Sequence, residues 1–79
     1  MRVTLGELAD PVAWTMVRAG WRVLSRSGDE VGRVLEVMGD QEADIFNGIL
    51  VETGLLKGSE YVPSEQVAGI REGEVTIDR

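Results

Sequence analysis

The densest set of chemistry-bearing side chains is the run Asp40-Gln41-Glu42-Ala43-Asp44, with Asn47 just beyond it. Carboxylates at alternating positions are how a twelve-residue calcium loop begins, because a hard cation takes several oxygen ligands at once. Held against that loop, the run fails at two places. The sixth position is Ile45, where the sharp turn requires Gly, and the twelfth is Val51, where a bidentate Glu is required. Ile45 and Phe46 are also side chains that favour burial over a solvated loop. The segment therefore reads as a solvated, acidic connection between two strands. Asp40, Glu42 and Asp44 remain candidates for a divalent-cation contact, and no metal site is assigned.

Other catalytic sets are no better placed. Glu30, Glu36, Glu52 and Glu60 supply carboxylates, but an acid–base pair needs burial or a neighbouring charge in a cleft to split its proton affinities. As members of short strands they read as the charged outer side of a sheet. Ser25, Ser27, Ser59 and Ser64 have no His to activate them, and the only Lys is Lys57, in a loop. With no Cys and no His in the chain, thiol chemistry, thiolate zinc sites and the usual general base are all absent. The reading is a non-enzyme with no cofactor.

Binding chemistry is more promising. Gly54-Leu55-Leu56-Lys57-Gly58 places two adjacent Leu between flanking Gly, either exposed as an interface anchor or folded back over the end of the sheet. The aromatics Trp14, Trp21, Phe46 and Tyr61 resemble a stacking set for bases, but stacking platforms sit beside a basic groove. Eight Lys and Arg against 14 Asp and Glu give a net charge of -6, the wrong sign for releasing counterions from phosphates. Direct nucleic-acid binding is not expected. Trp21 and Phe46 read as core or interface, and Trp14 as a staple between the N-terminal segment and the sheet.

The elements that must position these residues are short. A length of 79 residues allows one core. Thr4-Leu5-Gly6-Glu7 has the spacing of a capping box, and Pro11 ends that turn by about Asp10, so residues 1–18 are expected to hold a short N-terminal helix and a covering segment. Leu5 and Leu8 would dock that helix. Val12–Val17 follows as a short strand or a cover over the core. Residues 19–79 carry Gly at regular intervals among runs rich in Val, Ile and Leu, the pattern of short strands and turns. Strands are expected at Trp21–Ser25, Glu30–Met38, Ile45–Thr53, Glu60–Val62, Ala68–Arg71 and Glu74–Ile77. Ser27-Gly28-Asp29 and Arg71-Glu72-Gly73-Glu74 supply tight turns, and Pro63–Val67 a single turn started by Ser64. In the second strand Val31, Leu35 and Val37 share a face, with Arg33 and Val34 breaking the alternation. The third strand is apolar on both faces, so it should be central and covered twice, its second side by the N-terminal segment or another protomer. The apolar stretch Ile45–Val51 is seven residues against the roughly 20 of a spanning helix, and no signal-peptide core is visible, so a cytoplasmic location and no membrane span are expected.

The order of these motifs carries a resemblance. Gly20-x-Arg22-Val23-Leu24, Ser27-Gly28-Asp29-Glu30-Val31-Gly32-x-Val34, Ile49-Leu50-Val51-Glu52-Thr53 and Tyr61-Val62-Pro63-Ser64-Glu65-Gln66-Val67 together resemble the PRC-barrel family over residues 19–79. That family is named for the photosynthetic reaction-centre H subunit and includes the C-terminal domain of a ribosome maturation factor. Asp10-Pro11-Val12 and the 40–48 segment look like a stand-alone bacterial subgroup of it. The resemblance implies a small six-stranded β barrel acting as a binding or assembly module, with no shared catalytic residues to carry over. Neither the RNA-associated domain of the maturation factor nor the anchor of the reaction-centre subunit is visible here, so ribosomal and photosynthetic roles are not expected. The combined reading is a mainly β, non-catalytic protein–protein interaction or self-assembly module, expected to be a homodimer, with Leu55, Leu56 and Trp14 as interface candidates and an outside protein partner also open. The alternatives are a small-ligand or divalent-cation binder using residues 40–44, and an adaptor on a ribosomal or RNA-processing complex.

Overall fold

The computed structural model describes residues 12–54 and 58–79. The strands, in chain order, are β1 (Arg22–Leu24), β2 (Glu30–Asp40), β3 (Ile45–Glu52), β4 (Ser59–Pro63), β5 (Val67–Arg71) and β6 (Glu74–Ile77). They form one mixed sheet in the order β4-β3-β2-β1-β6-β5. Every neighbouring pair is antiparallel except β1–β6, which is parallel. The edge strands β4 and β5 do not pair with each other, so the ladder stays open where a closed six-stranded barrel was expected. The expected N-terminal helix and the pair Leu55 and Leu56 lie outside the described residues.

Local chemistry explains the turns. Between β1 and β2, Gly28 sits at φ +97, its N–H donates to Ser25 O, and Ser25 N–H donates to Asp29 O. Gly is the residue that reaches this conformation without a Cβ clash. Gly73, at φ +87, does the same between β5 and β6. The Ser64–Gln66 stretch is a single 3₁₀ turn after Pro63, and it turns the chain from β4 into β5.

The core is a cluster of Val17, Val23, Val34, Ile49, Val51, Val62, Val75 and Ile77. All eight are β-branched, which suits a pleated, half-buried surface. Among the described residues no polar or charged side chain is buried, so the core needs no internal hydrogen bonds. Trp21, Val31, Val37, Phe46, Val67 and Ile70 pack around its margin.

Three irregularities decide which residues of β2 and β3 face that core. The β1–β2 register slips so that Val31 has no direct partner between Gly32 and Glu30. The β2–β3 register slips at Leu35 and again at Asn47. An extra residue on one strand shifts its alternation by one, moving the following side chains to the opposite face. Val34 is therefore buried opposite Val51, whereas Leu35 is exposed, correcting the expected Val31–Leu35–Val37 inner face. After the slip the phase is restored for Val37, which lies opposite buried Ile49.

Residues 12–17 form a cover and not a strand. Val12 N–H donates to Ile70 O on β5, Trp14–Met16 is a 3₁₀ turn, and Val17 enters the core.

Candidate protein-interaction face

The antiparallel ladder sorts β2, β3 and β4 into rows that alternate between the core and the opposite, outer side. The inward rows are Val34–Val51–Glu60 and Val37–Ile49–Val62. The outward rows are Arg33–Glu52–Ser59, Glu36–Leu50–Tyr61, Met38–Gly48–Pro63 and Asp40–Ile45. Leu50, Tyr61, Met38, Pro63 and Ile45 thus share one surface, with charged residues around them. Exposures of 37% for Met38, 53% for Ile45 and 48% for Tyr61 leave large apolar groups in water on the face opposite the core. Leu35, at 42%, stands at the slip beside the same rows. The third strand is apolar on both faces: Ile49 and Val51 are buried, whereas among the described residues Leu50 is only half-buried and Ile45 is exposed.

Gly48 shapes the middle of this face. A Cβ at that position would stand 2.3 Å from Val62 O and 2.9 Å from the Tyr61 hydroxyl. Only a glycine lets the Tyr61 side chain lie across β3, where its O–H donates to Asn47 O at 2.7 Å. The tyrosine is thereby held flat by one hydrogen bond and a glycine seat. A rigid aromatic with an apolar face and a satisfied hydroxyl is well suited to an interface, since little side-chain entropy remains to be lost.

Trp14 is engaged within the chain. Its ring stacks on Phe46 with centroids 5.3 Å apart and planes 15° apart. Its Nε1–H donates to Asp44 Oδ1 at 3.0 Å, and the ring edge leaves no room for a Cβ at Gly39. This is a staple between residues 12–17 and the β2–β3 hairpin. It needs Asp44 at φ +56, a left-handed conformation that Asp adopts more readily than most residues.

The acidic turn between β2 and β3 is structural for the same reason. Asp40 Oδ1 accepts the Glu42 N–H at 3.1 Å and the Ala43 N–H at 3.4 Å, and Asp44 is engaged by Trp14. Among the described residues no three Asp or Glu side chains gather as a metal-binding group. Asp40, Glu42 and Asp44 are neighbours in sequence without converging.

The catalytic sets likewise disperse. Glu30 bridges Arg22 and Arg33, each at 3.3 Å, and Glu60 is paired with Arg79. Glu36 and Glu52 lie on the outer face in different rows. A shallow cleft of about 430 Å³ runs between the Glu30–Arg33 stretch and Glu52–Gly54, but its acid Glu30 is already tied to arginines. Ser25 and Ser27 share a 2.9 Å hydrogen bond within the β1–β2 turn, Ser27 Oγ donates to Asp29 Oδ2 at 3.3 Å, and Asp29 N–H donates to Ser25 Oγ at 3.2 Å, so these hydroxyls are spent on closing an exposed turn.

The sequence points to β3 and names Tyr61 among its aromatics, but it does not place Tyr61 or Met38 on this face. The signals were Tyr61 alternating between Glu60 and Val62, and a Gly in the middle of an otherwise apolar strand. Among the described residues no helix is long and apolar enough to cross a membrane. Compared with protein-family models and with curated proteins, the chain matches none.

Proposed function

We propose that the protein is a non-catalytic, cytoplasmic self-assembly module of the PRC-barrel type, and that a second copy of the chain covers the outer face of β2–β3–β4. The observation carrying this reading is that face: Leu50, Met38, Ile45 and Tyr61 side by side on the side of the sheet that has no core. Charged residues border it, Arg33 and Glu52 at one end and Asp40 at the other. The barrel-type reading draws support from the 3₁₀ corner that joins the edge strands β4 and β5, and from the Arg79–Glu60 ion pair that links the C-terminus to β4.

Light scattering coupled to gel filtration, over a range of protein concentrations, tests the proposal. The wild type is expected to approach twice its monomer mass as concentration rises. Met38→Lys/Ile45→Lys changes two exposed side chains and should return it to monomer with an unaltered circular dichroism spectrum. Leu55→Asp/Leu56→Asp tests the loop pair separately. A dimer broken only by the loop variant would move the interface away from the sheet, and a monomer at every concentration would sink self-assembly and leave an outside protein as the partner.

A further inference from the structure

We infer that the free edge of β4 pairs antiparallel with β4 of a second copy, with the two Tyr61 residues on the two-fold axis. This goes beyond the covered face: it is a separate contact, at an edge, and does not depend on that reading.

A sheet ends in two strands, and among the described residues only one of them is left open here. The outer edge of β5 is met by the chain's own Val12, whose N–H donates to Ile70 O at 3.0 Å, and the β5–β6 ladder slips between Val67 and Gly69. β4 pairs with β3 without a slip from Ser59 to Pro63. It carries neither a Lys nor a bulge, guards that edge strands often have. Which of its groups point outward follows from the hairpin. Thr53 N–H donates to Gly58 O at 3.1 Å, so by alternation Glu60 and Val62 bond to β3, whereas Ser59, Tyr61 and Pro63 turn their backbone groups away from it. Pro63, with no N–H to give, falls on an outward position, where β3 loses nothing by it. The Tyr61 ring lies across β3, where its hydroxyl reaches Asn47 O, and so keeps the edge clear.

These positions fix the register. With Tyr61 opposite Tyr61, each Tyr61 N–H meets the other's C=O and each Ser59 N–H meets a Pro63 C=O. Every outward N–H is answered, and none is asked of Pro63 where a carbonyl depends on it for the pair to form. A register with Ser59 opposite Tyr61 also answers them, but it sets Glu60 directly opposite Glu60, a like-charge pair at close range. The Tyr61-centred register sets Glu60 opposite Val62 instead, and each Glu60 keeps the Arg79 of its own chain. The strand is thus complementary to itself, as a two-fold contact requires. That axis stands perpendicular to the sheet, so the outer faces of both copies stay on one side and remain open.

The chain contains no Cys, so an engineered thiol is the only one present. Directly opposed residues of a bonded pair have Cα atoms about 5.5 Å apart, within the span of a disulfide. Tyr61→Cys should therefore close to a covalent dimer under mild oxidation about tenfold faster than Arg71→Cys on the other edge strand. Adding Ser59→Pro, which removes an outward N–H and no bond to β3, should cut that rate about tenfold with the circular dichroism spectrum unchanged. The disulfide should persist in the Met38→Lys/Ile45→Lys background, which disturbs the face contact alone. On the wild type, the Ser59 and Tyr61 amides should exchange with solvent about tenfold more slowly at millimolar than at micromolar concentration, while Val62, opposite Ile49 in a bonded pair, stays constant. Cross-linking of Tyr61→Cys no faster than Arg71→Cys overturns the edge pairing and leaves the face contact standing. So do Ser59 and Tyr61 amides that exchange equally fast at every concentration.

Discussion

Removing the Trp14 ring separates a staple from an interface anchor. The side chain is half-buried, so about 100 Å² of the 150–250 Å² an aromatic can bury leaves water, near 2.5 kcal/mol at 25 cal/mol per Å². Stacking on Phe46 at 5.3 Å adds about 1 kcal/mol. The indole N–H bond to Asp44 adds little more, because that site is open to solvent. Trp14→Ala should therefore cost about 3.5 kcal/mol. With a urea slope of about 1 kcal/mol per molar for a domain this small, the midpoint falls by roughly 3.5 M. Phe46→Ala should cost a similar amount, and the double variant less than the sum by about 1 kcal/mol, the coupling of the stacked pair. Trp14→Phe keeps a stacked ring and should recover most of the loss. The assay is urea unfolding followed by circular dichroism, with molecular mass measured on the same samples. Additivity of the two single losses would refute the stack. A fall in molecular mass with stability unchanged would make Trp14 an interface residue and not a staple.

Three further outcomes follow from the same geometry. Gly32→Ala drives a Cβ to 2.1 Å from Glu52 O, a backbone atom that cannot swing aside, and should lower stability by about 1–3 kcal/mol; a melting temperature within 2 °C or so of wild type would contradict that close approach. Ile49→Ala empties the centre of the core at a fully buried site and should cost about 2–5 kcal/mol in urea unfolding, whereas Leu35→Ala, at an exposed slip residue, should cost within about 0.5 kcal/mol. Millimolar Ca²⁺ or Mg²⁺ should leave the melting temperature unchanged, because Asp40 and Asp44 are held by backbone and indole N–H groups; a clear rise with cation concentration would revive the 40–44 site.

Much of the fold was legible because it is written in local rules. All six strands stand where runs of β-branched residues lie between turn residues, and Gly28 and Gly73 take the positive φ that their turns require. The slips at Val31, Leu35 and Asn47 were not legible. A bulge obeys no composition rule, yet each one reverses the alternation after it, which is why plain alternation points Leu35 inward and gives no place to Val34. The parallel β1–β6 pairing and the open edge between β4 and β5 depend on contacts far apart in sequence, which periodicity does not carry. Trp14 was expected to staple the N-terminal segment, and its partners Phe46 and Asp44 became visible only once the hairpin was folded. The outer face was half legible: a strand apolar on both sides implied a second cover, but Tyr61 and Met38 joined that surface only through register.

The most direct test of the central claim is a dilution series of amide proton–nitrogen correlation spectra on the uniformly labelled chain. Self-association through the outer face predicts concentration-dependent shifts at Glu36, Met38, Leu50 and Tyr61, with β5 and β6 unmoved. Spectra identical from micromolar to millimolar concentration, or shifts confined to β5 and β6, would contradict it.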